Sequence, residues 1–233
     1  MEYIYLLIFI LASWIAVRQI KKFIALSKTE HLVDWGAPLI NLLDGVVRLF
    51  CHRYHRQPKQ YYDLPESGPA IVVANHVSGL DPFIVLCACK RPVRFLIARE
   101  EYNRFGLTWL FKAVGCIPVD RDSRPEKAFQ AALQALDAGE VVALFPHGRI
   151  HWPNFLPGKI KGGAVRLAQR RNALLYPAYI DGVGLSGFTL LALLVRSHIK
   201  IDFHQALNCD AMNTQQRLQE LAQILNRSNN ISD

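Results

Sequence analysis

The alternation of short apolar runs with longer helical patterns limits the fold of this chain more than any other sequence feature. From about residue 65 onward, short runs rich in β-branched and aromatic residues alternate with stretches whose apolar residues recur at helical spacing. The predicted strands are residues 70–74, 93–98, 116–119, 141–145, 174–180 and 199–203. This pattern is typical of an α/β domain with a mostly parallel central sheet flanked by helices.

The predicted helices fall between these strands and after the last of them. They are residues 82–89, 106–114, 125–138, 162–170 and 214–226. The clearest begins with Pro125 in its first turn, presents alanine and leucine on one face, and ends at Gly139. A length of 233 residues with 51% hydrophobic content suffices for one such domain and a small extra element.

The amino terminus carries a segment of the membrane type. Residues 3–17 contain no charge, and Arg18, Lys21 and Lys22 follow at once. The run is shorter than the roughly 20 residues of a perpendicular span, so spanning helix and one-leaflet helix both stay open. A cleaved signal peptide is disfavoured because Glu2 precedes the run and the basic cluster follows it. The positive flank predicts that the following chain is cytoplasmic.

A second apolar stretch, residues 38–50, is interrupted by Asn41, Asp44 and Arg48. These polar positions predict an amphipathic helix that lies at the membrane interface beside the first helix and completes a two-helix membrane anchor. We therefore predict two units: membrane-anchoring helices in residues 1–60 and an α/β domain in residues 61–233.

The net charge of +8 indicates an anionic partner. Residues 51–62 are basic and contain interspersed tyrosines, and anionic lipid headgroups attract a segment of this composition. The same interleaving occurs in RNA-binding proteins, but no recognition motif accompanies it here. Membrane lipids are therefore the expected partner, and nucleic acid is not.

The five cysteines form no C-x-x-C pair, and their number is odd. Neither a disulfide framework nor a zinc ribbon is indicated. Most are expected to be reduced, buried thiols in a domain that faces the cytosol.

Asn75, His76 and Asp81 place an imidazole and a carboxylate five positions apart, directly after a predicted strand. A histidine with a pKa near neutrality can take a proton from a hydroxyl, and a carboxylate can fix its tautomer and stabilise the imidazolium. The alternative is a turn histidine followed by an ordinary aspartate that caps the helix beginning at Pro82.

Three further blocks lie at predicted strand ends, where open α/β sheets place their ligands. Residues 115–121 end in Arg121, which either holds a phosphate or belongs to a charged surface turn. Residues 145–149 turn on proline and glycine, and residues 176–179 contain a proline within a strand. His147 and His151 have the spacing of a helical metal site, but the prolines on either side disfavour a helix, so no metal is expected.

The order and spacing of these blocks resemble the glycerolipid acyltransferase family over about half of the chain. The four family motifs match in order at Asn75, His76 and Asp81; at Gly115 and Arg121; at Phe145, Pro146 and Gly148; and at Pro177. The third motif is usually Phe-Pro-Glu-Gly-Thr-Arg, and here His147 replaces the glutamate, Arg149 the threonine and Ile150 the arginine. The glutamate is associated with the glycerol phosphate of the acceptor, so His147 bears on which acceptor is bound.

The resemblance implies substrate-binding roles for several residues beyond the His76 and Asp81 pair. They are Asn75, Arg121, His147, Gly148, Arg149, Lys159 and Lys161. Arg149 offers a planar fork of donors for phosphate oxygens, and the backbone after Gly148 can approach closely. The two lysines resemble a stretch that leads into a helix in this family, and they either face substrate phosphates or are solvated.

The activity implied is a membrane-bound O-acyltransferase. It would move a fatty acyl group from an acyl thioester, carried by coenzyme A or an acyl carrier protein, to the 2-hydroxyl of 1-acyl-glycerol-3-phosphate. His76 would take the hydroxyl proton while Asp81 holds the imidazole, with no cofactor. No Gly-x-Ser-x-Gly motif is present, so no protein nucleophile is expected. The alternatives are acylation of another lysolipid (a lysophospholipid or lyso-aminolipid), a thioesterase or lipid hydrolase, and an inactive lipid-binding membrane protein.

Overall fold

A six-stranded sheet forms the centre of the protein. The computed structural model describes residues 2–120, 125–152, 158–209 and 214–226. The strands are β1 (Ala70–Ala74), β2 (Val93–Ala98), β3 (Ile117–Val119), β4 (Val141–Leu144), β5 (Leu174–Asp181) and β6 (Lys200–Phe203). Their order is β3-β2-β4-β1-β5-β6, and every neighbouring pair is parallel except β5 and β6. The predicted mostly parallel sheet is confirmed.

The helices surround this sheet. They are α1 (Glu2–Glu30), α2 (Pro38–Leu49), α3 (Asp81–Cys87), α4 (Arg99–Tyr102), α5 (Thr108–Ala113), α6 (Pro125–Asp137), α7 (Gly163–Arg171), α8 (Leu191–Leu194) and α9 (Thr214–Leu225). A π-helical turn, Phe50–Tyr54, continues α2. The short helices α4 and α8 were not predicted, because a single turn shows no apolar periodicity.

Both faces of the sheet are covered. Residues of α3 and of the π-helical turn pack on one face, and α6, α7 and α9 pack on the other. All five residues of β1 are buried, with Val72 in one core and Val73 in the other. A strand covered on both faces needs apolar side chains at every position, which explains the continuous apolar run of β1.

The helix α1 extends well beyond the uncharged run from which it was predicted. At 29 residues it is about 40 Å long, more than the roughly 30 Å hydrocarbon core of a bilayer. Residues 3–20 are exposed along their whole length, and Tyr3–Glu30 is long and apolar enough to cross a membrane, with a mean hydropathy of 1.8 over an 18-residue window. The described helix therefore presents apolar side chains on every side.

Two of the three polar residues of α2, Asp44 and Arg48, point into the protein. Asp44 and Arg48 are 3% and 1% exposed and form an ion pair with an N–O distance of 2.8 Å. Arg48 also donates hydrogen bonds to the carbonyl oxygens of Leu86, Cys87 and Cys89, at 3.3, 3.0 and 3.1 Å. Asp44 and Arg48 thus correct the interpretation of the sequence in which they mark a polar face at a membrane interface. Their charges instead pair with each other, and Arg48 supplies hydrogen bonds to the carbonyl groups at the end of α3.

Other contacts also cross the predicted boundary at residue 60. The Gln57 side-chain amide donates to the carbonyl oxygen of Ile84 at 2.9 Å, and the Tyr62 backbone amide donates to that of Ala88 at 2.9 Å. The last carbonyl groups of a helix have no partner within the helix. Here Gln57 and Tyr62, which lie between α2 and β1, supply hydrogen-bond donors to carbonyl groups at the end of α3. The residues between α2 and β1 therefore pack as part of the α/β domain.

Replacing Arg48 with alanine should lower the free energy of unfolding by about 3–5 kcal/mol, because the Asp44 carboxylate would stay buried without its partner. Denaturant unfolding of the full chain in detergent measures this loss. The double change Asp44→Leu with Arg48→Met should recover most of it, since neither charge then remains. Alanine at the exposed Arg53 is the matched control. A loss below about 1 kcal/mol for Arg48→Ala would show that the pair does not stabilise the fold.

All five cysteines are buried thiols, as predicted. Burial raises the pKa of the Cys89 thiol to about 12 and that of Cys116 to about 11. A thiol rather than a thiolate is therefore present at neutral pH, and such a group is a poor nucleophile.

Candidate active site

The site lies where β1 and β4 end side by side. Val73 of β1 pairs with Leu144 of β4, so the chain leaves the sheet at neighbouring points. The Asn75 side chain fixes the first exit by donating to the Ile180 carbonyl oxygen at 2.9 Å and accepting from the Ile180 amide at 2.7 Å. Both ends of this amide are engaged with β5. Asn75 therefore holds the turn, and a direct contact with substrate stays a prediction.

The predicted His76 and Asp81 pair is formed. Nδ1 of His76 lies 2.8 Å from Oδ2 of Asp81. The Asp81 side chain is fully buried, whereas that of His76 is 18% exposed. Because the carboxylate accepts the Nδ1 proton, Nε2 is the nitrogen that can take a proton from a substrate. The imidazole also stacks on the ring of Phe145, with centroids 4.3 Å apart.

Asp81 receives three further hydrogen bonds from the loop before it. Its Oδ2 accepts from the backbone amides of Val77 and Ser78 at 2.6 and 2.8 Å, and its Oδ1 accepts from the Ser78 hydroxyl at 2.7 Å. The alternative of an ordinary cap on α3 is wrong, since Asp81 is the first residue of that helix and its carboxylate turns back to residues 77 and 78. Ser78 was not recognised from the sequence, although a serine three residues before the aspartate is a local signal.

A groove with a volume of about 1530 Å³ opens beside His76. Its apolar lining includes Phe95, Phe111 and Phe129, which come from three separate elements and resemble ordinary core residues in the sequence. The volume exceeds that of most small-molecule pockets. The groove suits a ligand with a long apolar chain that ends near the imidazole.

Three of the predicted binding residues, Gly148, Arg149 and Lys161, also line this groove. Gly148 has a φ of +77°, and a Cβ there would lie 3.0 Å from the Lys161 ammonium nitrogen, so glycine suits this turn for two reasons. The Lys161 amide donates to the Pro146 carbonyl oxygen at 3.0 Å and fixes the lysine beside the turn. Lys159 is exposed and is not among the groove-lining residues. Arg121 lies outside the described residues, so its role stays a prediction.

His147 lies behind the turn rather than in the groove. It is 5% exposed, its Nε2 donates to Oδ1 of Asn226 at 2.7 Å, and its ring meets that of His151 edge to face at 4.3 Å. The His151 amide in turn donates to the His76 carbonyl oxygen at 2.8 Å. The structure thus ties the third motif to the carboxyl end of α9, and direct acceptor contact by His147 stays a prediction. Within the described residues, no group of three or more His, Cys, Asp or Glu side chains is placed to hold a metal ion.

Stability should fall as the pH is lowered from about 7.5 to 5.5. Burial lowers the pKa values of His52, His55, His147 and His151 in the folded chain. Below about pH 6.5 these four histidines therefore bind protons in the unfolded chain and stay neutral in the folded chain. The stability of the folded chain is then present above that pH and is lost as the pH falls below it. Denaturant unfolding at both pH values tests this. His147→Gln should reduce the difference, and equal stability at the two pH values would contradict the prediction.

The comparisons with known proteins agree with this geometry. The acyltransferase family model matches residues 55–181, more than half of the chain. A probable 1-acyl-sn-glycerol-3-phosphate acyltransferase of Mycoplasma genitalium is 30% identical over 120 residues, which cover 49% of this chain and 44% of that protein. The 1-acyl-sn-glycerol-3-phosphate acyltransferase of Bacillus subtilis is 27% identical over 122 residues, covering 52% and 59%. The chain spans about half the length of the curated relatives it matches.

A solved structure shows the same fold. The crystal structure of the 1-acyl-sn-glycerophosphate acyltransferase of Thermotoga maritima superposes with a TM-score of 0.61, over 80% of this chain and 78% of that one. The sequence identity of this pair is 16%. At that identity, the similarity shows that the two proteins share the arrangement of sheet and helices, and it shows nothing further.

Proposed function

Because the chain belongs to the acyltransferase family, we propose that it transfers a fatty acyl group from an acyl thioester to the 2-hydroxyl of 1-acyl-glycerol-3-phosphate, giving phosphatidic acid. The observation that carries the proposal is the His76 and Asp81 pair, 2.8 Å apart with its carboxylate buried, at the edge of a large apolar groove. A positioned base beside a chain-binding groove is what acylation of a lipid hydroxyl requires.

The reaction proceeds by direct transfer. Nε2 of His76 takes the proton of the acceptor hydroxyl as its oxygen attacks the thioester carbonyl carbon. The carbon–sulfur bond breaks, the thiolate leaves, and the imidazolium returns the proton to it. Asp81 stabilises the imidazolium in the interval. The products are an ester and a free thiol, and the protein needs neither a nucleophile of its own nor a cofactor.

The apolar and the basic parts of the groove bind different parts of the substrates. Its aromatic wall, including Phe95, takes the acyl chain, and Arg149 and Lys161 meet phosphate oxygens of the acceptor or of the donor. A guanidinium binds phosphate through paired donors, and an ammonium binds it as a point charge. The donor is an acyl group on coenzyme A or on an acyl carrier protein.

A second acceptor class remains a candidate because of His147. A neutral, buried imidazole held by Asn226 stands where the family usually has glutamate. The acceptor site then lacks that negative charge, so a different lysolipid headgroup is the competing substrate.

We place the enzyme on the membrane through α1, with its α/β domain on the cytoplasmic side. The exposed apolar length of α1 supports this location. The full chain should stay with membranes during alkaline carbonate extraction, and a chain lacking residues 2–22 should be extracted. Retention of the shortened chain would contradict the role of α1.

The activity is tested with the purified full chain in detergent. It receives an acyl thioester alone or with 1-acyl-glycerol-3-phosphate, a lysophospholipid or a lyso-aminolipid, and free thiol and lipid product are both followed. Thiol release that matches phosphatidic acid formation supports the proposal. Product with only another lysolipid supports the second acceptor class. Thiol release without an acceptor would indicate a thioesterase. The absence of both free thiol and lipid product with every acceptor would indicate a lipid-binding protein.

A further inference from the structure

The groove beside His76 crosses the carboxyl edge of the sheet. Phe95 and Leu96 are neighbours in β2 and pack on opposite faces of the sheet, yet both line the groove. One part of it, which we call the apolar arm, lies on the α3 face and is lined by Phe83, Phe95, Phe111 and Leu193. The other part, the basic arm, lies between α6 and α7 on the opposite face. His76 follows the central strand β1 and therefore lies between the two arms.

Two arginines of α7 face the basic arm. Arg166 and Arg170 are one helical turn apart, and both are exposed and line the groove. Neither side chain makes an ion pair or a hydrogen bond with another of the described residues. Arg171, the next residue of the same helix, does not line the groove and donates to Asp137 at 2.8 Å. The helix thus has a paired cation outside the groove and two unpaired cations facing it.

The neighbours of these arginines suit a phosphorylated nucleotide. Guanidinium groups bind phosphate oxygens through paired donors. Phe129 of α6 lines the same arm and offers an aromatic ring on which a base can stack. Gln130 and Gln169 add amide donors and acceptors. Among the described residues of this arm the acidic side chain is Glu126, so the arginines leave an excess of positive charge.

The apolar arm has a different character. Its arginine within the described part of the chain, Arg104, is already paired with Glu101 at an N–O distance of 2.8 Å. The remaining lining of this arm is dominated by aromatic and aliphatic side chains, including Phe83 and Phe111. A fatty chain therefore fits the apolar arm, and phosphate groups fit the basic arm.

The position of His76 relates the two arms to the two ends of a thioester. A thioester carries its acyl chain on one side of the carbonyl carbon and its sulfur on the other. With the carbonyl beside Nε2 of His76 and the chain in the apolar arm, the sulfur points toward the basic arm. Arg166 and Arg170 lie about 5 and 10 Å along α7 from its first residue, Gly163, which also lines the groove. The long pantetheine arm of coenzyme A separates its sulfur from its phosphates and can cover this distance.

We propose that the basic arm binds the phosphorylated nucleoside end of coenzyme A, with Arg166 and Arg170 on its phosphates, so that the acyl donor is a coenzyme A thioester. The inference rests on the proposed function and adds which donor carrier the groove takes and where that carrier lies. The two arginines line a cleft between helices, and small molecules bind in such concave sites. An acidic carrier protein would need an open surface instead.

The first test is kinetic and uses the full chain in detergent. The double variant Arg166→Gln with Arg170→Gln should raise the KM for a coenzyme A thioester at least tenfold and keep kcat within threefold. Its rate with an acyl-pantetheine thioester, which has no nucleotide and no phosphate, should stay within twofold of the original. Its KM for 1-acyl-glycerol-3-phosphate should also stay within twofold. Arg171→Gln, on the same helix and outside the groove, is the matched control and should change none of these values.

Four outcomes would overturn the proposal. One is an unchanged KM for the coenzyme A thioester. Another is an equal loss of rate with acyl-pantetheine, because the arginines would then act on the fold. A rise in the KM for 1-acyl-glycerol-3-phosphate instead would assign the arginines to the phosphate of the acceptor. A larger rise in the KM for an acyl carrier protein thioester than for the coenzyme A thioester would make the cleft a docking site for that protein.

The second test needs no acyl transfer, so it separates failure of the basic arm from failure of the proposed function. Unacylated coenzyme A is titrated into the full chain in detergent, and its binding is followed by calorimetry. The double variant should bind it at least tenfold more weakly, and Arg171→Gln should bind it as the original chain does. Binding with this pattern would support the site even if no acyl group is transferred. Equal binding by the original chain and the double variant, or no binding to either, would overturn the site whatever the activity.

Discussion

Replacing His76 with alanine should lower the rate of acyl transfer by at least about a hundredfold, because a positioned base typically contributes 10²- to 10⁴-fold. The loss should appear in kcat, since the imidazole acts on the proton during transfer and the aromatic wall of the groove is unchanged. Thiol release with saturating acceptor measures it.

The exposed His198→Ala serves as the control for loss of a histidine and should keep the rate. Circular dichroism of the His76 variant should show an intact fold, since the ring contacts one aromatic neighbour and is partly exposed. A rate within threefold of the original would rule out His76 as the base.

Asparagine at position 81 should cost about a hundredfold in kcat while leaving the fold in place. The amide oxygen can occupy the position of Oδ2 and still accept from His76, Val77 and Ser78, and its amino group can donate to the Ser78 hydroxyl oxygen. The tautomer of His76 is then kept and only the negative charge is lost. The expected loss is therefore smaller than the roughly 10⁴-fold seen where such a change imposes the wrong tautomer.

Ser78→Ala is the matched control, because it removes one hydrogen bond to Asp81 and keeps the charge. It should cost about tenfold, in line with the net energy of a hydrogen bond to a charged group. An Asp81→Asn enzyme with its original rate would show that Asp81 only holds the loop, and that the imidazolium needs no carboxylate.

The strands and the contact between His76 and Asp81 were predictable because their signals are local. Each predicted strand is found with its ends within one residue, since short apolar runs bounded by turn residues mark strands directly. His76 and Asp81 are five positions apart, so a single loop brings them together.

The remaining features depend on contacts between distant residues. Whether Arg48 faces water or a buried carbonyl group depends on Cys87 and Cys89, which the sequence does not place beside it. The hydrogen-bond partner of His147 is Asn226, 79 positions away, and nothing near His147 in the sequence indicated this contact. No local pattern marks such pairs, because the spacing along the chain has no fixed relation to their distance in the fold.

The hydrogen bonds from Arg48 and Gln57 to the end of α3 bear on how the enzyme can be re-engineered. The helix that begins with Asp81 receives hydrogen bonds at its other end from residues of the amino-terminal region. A chimera with a foreign membrane helix must therefore keep residues 38–62 and exchange only the exposed turns of α1. A graft made at residue 60 would remove the hydrogen bonds that Arg48 and Gln57 make to the end of the helix that begins with Asp81.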